Sequence, residues 1–142
     1  MSPQSRLVAG ILIILLPAVA FGGTSILSLL ISDPGYAQND LRQDLWRAGH
    51  AHAGVLLVLS LVTLRYVDEA TLPEGMKTLA RHSIPAAAIL LPVAFFLSVL
   101  SPDATEPNAL IYLAYVGALS LAVGLLVLGA GLIRRPRTSS QE

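Results

Sequence analysis

A chain of 142 residues that is 54% hydrophobic and only 13% charged is too oily for an ordinary water-soluble domain. Its nine basic and nine acidic residues balance, which argues against a broad nucleic-acid surface; the lack of cysteine excludes disulfides, thiolate nucleophiles, cysteine-held iron–sulfur clusters and thioether-attached haem. The apolar residues form four blocks with nearly every charge between them, as expected of an all-α integral membrane protein surrounded by lipid.

The first block, residues 7–31, is long enough at about 1.5 Å per residue to cross a roughly 30 Å hydrocarbon layer with some tilt, and Pro17 predicts a kink. A rival reading is a secretory signal, because Arg6 precedes the apolar run and Ala-Val-Ala at 18–20 resembles a cleavage site. Cleavage there would leave the oily ILSLLI at 26–31 near the new start. The connection SDPGYAQNDLRQD, 32–44, opens with a turn and becomes helix-compatible near Asn39 or Asp40. An interfacial extension over 39–47 then leads into a second crossing at 48–65. Leu41, Leu45 and Trp46 are expected at lipid headgroups, with Arg42, Asp44 and Arg47 hydrated.

The segment 66–83 carries both charge signs and a Pro-Glu-Gly turn, and is expected to be a hydrated junction. A third crossing follows at 84–100, where Pro92 removes a helical hydrogen bond and bends the rod. The short SPDATEPN loop, 101–108, leads to a fourth crossing at 109–133 and a mobile cytoplasmic tail at 134–142. Short connections favour a single membrane domain, a compact and largely antiparallel four-helix transmembrane bundle.

Lysine and arginine near crossing ends fix its orientation in the cell membrane. With both termini cytoplasmic, Arg6, Arg65, Lys77, Arg81, Arg134, Arg135 and Arg137 lie inside, while only Arg42 and Arg47 lie outside. His50 and His52 then enter from the outer side and His82 stands at the inner end of the third crossing, so the three cannot share one metal within a subunit. Arg81 and His82 border the inner entrance, where lipid or a partner is the expected contact; Trp46 has that role at the outer boundary.

His50 and His52, two positions apart, point about 200 degrees from each other on a helix. Arg47, His50, Gly54 and Leu61 form one stripe; His52, Leu56 and Thr63 form another. Either imidazole can satisfy interfacial polar groups, bind a haem edge with Arg47 neutralising a propionate, or handle protons. The segment GHAHAGVLLVLS, 49–60, resembles the His-Ala-His entry to a membrane helix in haem–copper oxidase-related integral proteins. That resemblance implies that His50 or His52 ligates a b-type haem. Three histidines and four crossings do not supply the ligand set of that family's oxygen-reducing core.

Asp33, Asp40, Asp44, Asp103 and Glu106 are expected on the outer side, where they could bridge a divalent cation. In the last crossing Ala114, Ala118 and Ala122, and separately Gly117 and Gly124, offer small-residue stripes for close packing. No Walker loop, dinucleotide fingerprint, zinc-protease motif or serine-hydrolase elbow is present. The expected function is that of a small accessory or structural membrane protein, not an enzyme as an isolated chain. Its expected partners are lipids and a homo-oligomer or larger membrane complex, with no nucleic acid. A b-type haem protein and an oligomeric proton or ion conductor are the alternatives.

Overall fold

The computed structural model describes residues 1–134. Of the tail expected at 134–142 only Arg134 is among them; the rest, including the basic residues Arg135 and Arg137, lies outside. The described chain is helical: α1 (Pro3–Ser32), a single turn α2 (Pro34–Ala37), α3 (Asp40–Val67), α4 (Glu74–Ser98), a 3-10 turn over Ala109–Tyr112, and α5 (Leu113–Ile133). Four of these segments are long and apolar enough to cross a membrane, the last comprising the 3-10 turn and α5 together.

Local chemistry sets where the helices begin. The Ser2 hydroxyl accepts from the Ser5 amide with Pro3 in the first turn, Asp33 caps α2, and Asn39 caps α3 by accepting from Arg42 N. Pro73 immediately precedes α4, so the expected hydrated junction contracts to 68–73, and Lys77, Arg81 and His82 belong to α4 itself. The stretch expected at the interface, 39–47, is likewise continuous with the helix that follows it. Pro17, Pro85 and Pro92 all stand inside helices.

The helices run alternately up and down. One end of the bundle gathers Ser2, Asp68 and Arg81, and Thr71 N donates to Gly131 O of α5; this is the terminal end. At the opposite, loop end, Asn39 Nδ2 donates to the carbonyls of Pro102 and Ala104, and Asn108 N donates to Ser98 O. Helix α4 is central, packed between α3 and α5, while α1 leans on α3. The principal core joins Leu12 of α1, Leu56, Leu57 and Leu64 of α3, and Ala87 and Leu91 of α4. A second core at the terminal end joins Val67, Ile84 and Leu128.

Glycines set the spacing of α4 and α5. Gly117, Gly124 and Gly131 are all buried. A methyl on Gly117 would stand 3.0 Å from Leu91 Cγ, and one on Gly124 would stand 2.7 Å from Ile84 Cγ1, so these backbones meet where no side chain intervenes. The alanine stripe does not take this role as a unit, because Ala118 and Ala122 are exposed.

Candidate functional site

The polar groups that the helices draw inward fall into three places. At the terminal end, Arg81 is only 1% exposed. Its Nε donates to Ser5 Oγ at 3.0 Å, its Nη1 to Gln4 Oε1 at 2.7 Å and to Glu74 Oε1 at 3.4 Å, and its Nη2 to Asp68 Oδ1 at 3.3 Å. Asp68 also accepts from the Ser2 amide at 2.6 Å and the Ser5 hydroxyl at 3.0 Å. Burial pushes the Asp68 carboxyl upward, but the Ser2 backbone and side chain, Ser5 and Arg81 outweigh it and hold the group at about 2. Arg81 therefore ties α1, α3 and α4 together and does not offer its guanidinium to lipid. His82, the next residue, is exposed on α4.

At the loop end, Arg42 is 7% exposed, in contrast to the hydrated position its sequence context suggests. Its guanidinium carbon lies 4.7 Å from the Trp46 ring centroid and 5.6 Å from that of Tyr36, and its Nε donates to Val99 O at the α4 C-terminus. Trp46 packs inward with it, its ring 5.9 Å from Phe96 and its Nε1 donating to Phe96 O. Burial raises the Tyr36 hydroxyl's pKa against the opposing charges of Arg47 and Arg42, and that hydroxyl has no hydrogen-bond partner. Arg47 is exposed and donates to Gln43 O and Oε1, with Asp44 at 3.5 Å.

The third place is a crevice. His50 faces α1, where a methyl on Gly23 would stand 2.8 Å from its Nε2 and one on Gly22 would stand 4.0 Å from its Nδ1. Gly23 lies eight residues before Ile31, so the imidazole sits about 12 Å inside the apolar end of α1 at 1.5 Å per residue. Its own sequence neighbourhood, rich in Arg and Trp, had suggested the mouth of a helix. Gly54 of the same stripe faces Val19 of α1, whereas His52 stands on the other stripe, its ring 5.2 Å from Phe95 and its Nδ1 2.7 Å from Ala48 O. The two imidazoles serve different interfaces.

The crevice beside His50 has a volume of about 250 Å³ and is bounded by Ala18 and Gly22 of α1, Ala53 of α3, and Ile89 and Phe96 of α4. It forms where α1, which rests mainly on α3, stands off from α4. His50 brings the one imidazole to an otherwise apolar wall and makes no hydrogen bond to another described residue. An apolar cavity of about 150 Å³ accommodates benzene. The larger space here suits a substituted ring. With Arg47 drawn toward Asp44 and His52 on a different face, His50, His52 and Arg47 do not converge within one chain.

The carboxylates expected on the outer side do not converge either. Asp33 accepts from Gly35 N and Tyr36 N, Asp44 pairs with Arg47, and among the described residues no group of three His, Asp or Glu side chains is placed to hold a metal. Three features are not legible in the sequence: the Arg81–Asp68 pair, the burial of Arg42 and the contact of Gly22 and Gly23 with His50. The terminal-end pair left a faint signal in Asp68 and Arg81, opposite charges on either side of a short connection. The contact of Gly22 and Gly23 with His50 has none, because it joins residues of different helices. Comparison with protein-family models, with curated proteins and with solved structures yields no match.

Proposed function

We propose that this chain is a small multi-pass protein of the cell membrane, with both ends cytoplasmic, that serves as an accessory or structural component of a membrane assembly. The orientation follows from charge: the terminal end of the bundle carries Arg6, Arg65, Lys77, Arg81 and Arg134, against Arg42 and Arg47 at the loop end. The observation that carries the accessory reading is the state of α1. Of its thirty residues only Ser5, Ala9 and Leu12 are buried, while Leu7, Ile11, Ile14, Phe21 and Ile31 are exposed. Lipid covers such a face adequately, and so does a helix of a second polypeptide, whose small and branched side chains pack against it by dispersion.

Because the sequence has no cysteine, single cysteines introduced at Ile14 and Phe21 give clean attachment points for in-membrane cross-linking. Cross-linking in native membranes is expected to give one discrete species heavier than the 15.0 kDa chain, depending on cysteines in α1 and absent with a cysteine at Leu126 of α5. A chain that stays monomeric from every position refutes the accessory reading. The haem alternative requires a second chain to complete the His50 site. Its mark is a haem spectrum that appears only in the oligomer and disappears in His50→Ala.

A further inference from the structure

We propose that the crevice between α1 and α4 binds a lipid-soluble quinone, with one ring carbonyl oxygen accepting a hydrogen bond from the His50 imidazole. The proposal rests on the membrane reading above and adds a ligand to it. Three properties of the site select this chemistry.

The first is size. A volume of about 250 Å³ exceeds the roughly 150 Å³ that holds benzene and falls below the roughly 300 Å³ at which pockets for drug-sized ligands begin. One ring or two fused rings with small substituents fit; a bulkier amphiphile must leave most of itself outside. The second is access. Leu15, Ala18 and Ile89 on the rim are exposed, and at their level the crevice separates α1 from α4, so the opening lies along the apolar length of the bundle. A ring entering from lipid can leave an isoprenoid tail among the acyl chains.

The third is polarity. The walls are Ala, Gly, Leu, Val, Ile and Phe, and the imidazole of His50 is the hydrogen-bonding group among them. Either neutral tautomer of histidine, and the imidazolium, carries at least one N–H. A quinone oxygen only accepts, so donor and acceptor match when the proton sits on the ring nitrogen turned to the crevice, and the imidazolium satisfies this from either nitrogen. A hydrocarbon in the same place leaves the imidazole without a partner inside the membrane. Such an unpaired group is costly, and the pairing favours the carbonyl compound. Gly22 and Gly23 keep α1 close to the imidazole without filling the space, and the Phe96 ring offers an aromatic wall.

The chain reports on this site by itself. Trp46 is the sole tryptophan, one helical turn ahead of His50, and its ring lies 5.9 Å from that of Phe96 in the crevice wall. We would titrate the full chain, reconstituted in lipid nanodiscs, with a short-tailed benzoquinone and a short-tailed naphthoquinone while following Trp46 fluorescence. At least one is expected to quench saturably. His50→Leu should weaken binding about tenfold, the loss of one hydrogen bond. His50→Gln, which keeps an N–H donor, should lose less, and Ala18→Leu, which fills the crevice from an exposed position, should remove saturation.

An alkylbenzene with the same tail should not compete. Quenching that rises without saturation and is the same in wild type and Ala18→Leu overturns the proposal, as does equal competition by the alkylbenzene. Either result in a chain that still partitions with membranes removes the ligand and spares the membrane reading. Recovery of the chain in the soluble fraction defeats the membrane reading itself.

Discussion

Replacing Asp68 by asparagine keeps the size of the side chain and removes the charge facing Arg81. In the wild type that guanidinium is sealed from solvent, and Asp68, with an 18% exposed side chain, is its nearest buried anion; Glu74, the other carboxylate in reach, is 69% exposed. Breaking a buried ion pair by removing one partner costs about 3–5 kcal/mol. Gln4, Ser5 and Glu74 still accept from Arg81 in the variant, so the lower end, about 3 kcal/mol, is expected. Arg81→Met should cost less, because Asp68 retains the Ser2 amide and the Ser5 hydroxyl and reaches water.

Proton linkage gives the same perturbation a second reading. The Asp68 carboxyl is lowered from 3.8 to about 2, so its ionised form is preferred in the folded chain. That stabilisation is complete above pH 3.8 and is lost as pH falls through about 2. The difference corresponds to about 2 kcal/mol, which solvent at the open edge of the carboxylate screens to about 1–2 kcal/mol. Reversible unfolding by denaturing detergent, followed by helical circular dichroism, should show wild type and Asp68→Asn converging as pH falls from 4 to 2. Amide exchange should rise first at the start of α1, where Ser2 and Ser5 lose their acceptor. A stability difference below about 0.5 kcal/mol at pH 7 refutes this account of Arg81, as does one unchanged between pH 4 and pH 2.

Gly124→Ala places a methyl 2.7 Å from Ile84 Cγ1 and should cost about 1–3 kcal/mol by overpacking, whereas Gly129→Ala meets nothing within 4 Å and should be neutral or slightly stabilising in the same unfolding assay. Arg42→Ala removes the stack on Trp46 and the bond to Val99 O; a loss of about 2–3 kcal/mol and an altered Trp46 emission are expected, with Arg42→Lys recovering only part. Single cysteines at Arg6 and Asp44 should label from opposite sides of sealed vesicles, with Arg6→Cys protected from an impermeant reagent in right-side-out preparations. Labelling of both from one side contradicts the bundle's alternation.

Hydropathy and charge spacing were enough to read four long apolar helices and their alternating order, because the apolar runs are long and most charges fall in the connections. The same logic misplaced Arg42 and Arg81. Both are charges flanking apolar segments, and sequence offers no sign that one lies between two rings and the other between three helices. The His50/His52 divergence was legible from helical periodicity alone, and the stripe of His50 and Gly54 does meet α1. The depth of His50 was not, since it depends on the register of α1 against α3 at Gly23. The seven-residue interval of Gly117 and Gly124 was visible, but its extension to Gly131 depends on Leu72, from the connection before α4, folding over that glycine.

Seven residues fall about 20 degrees short of two full helical turns, so the line through Gly117, Gly124 and Gly131 winds slowly around α5 instead of running straight along it. Two rods meshed along such a line coil gently left-handed about each other, and their contact remains continuous over their length. Sliding or tilting one against the other would drive Leu91 into the backbone at Gly117 and Ile84 into it at Gly124 at the same time. The α4–α5 pair is thus stiff, and any breathing of the molecule that admits a guest falls to α1, fastened by hydrogen bonds at its first turn and resting on an imidazole farther along.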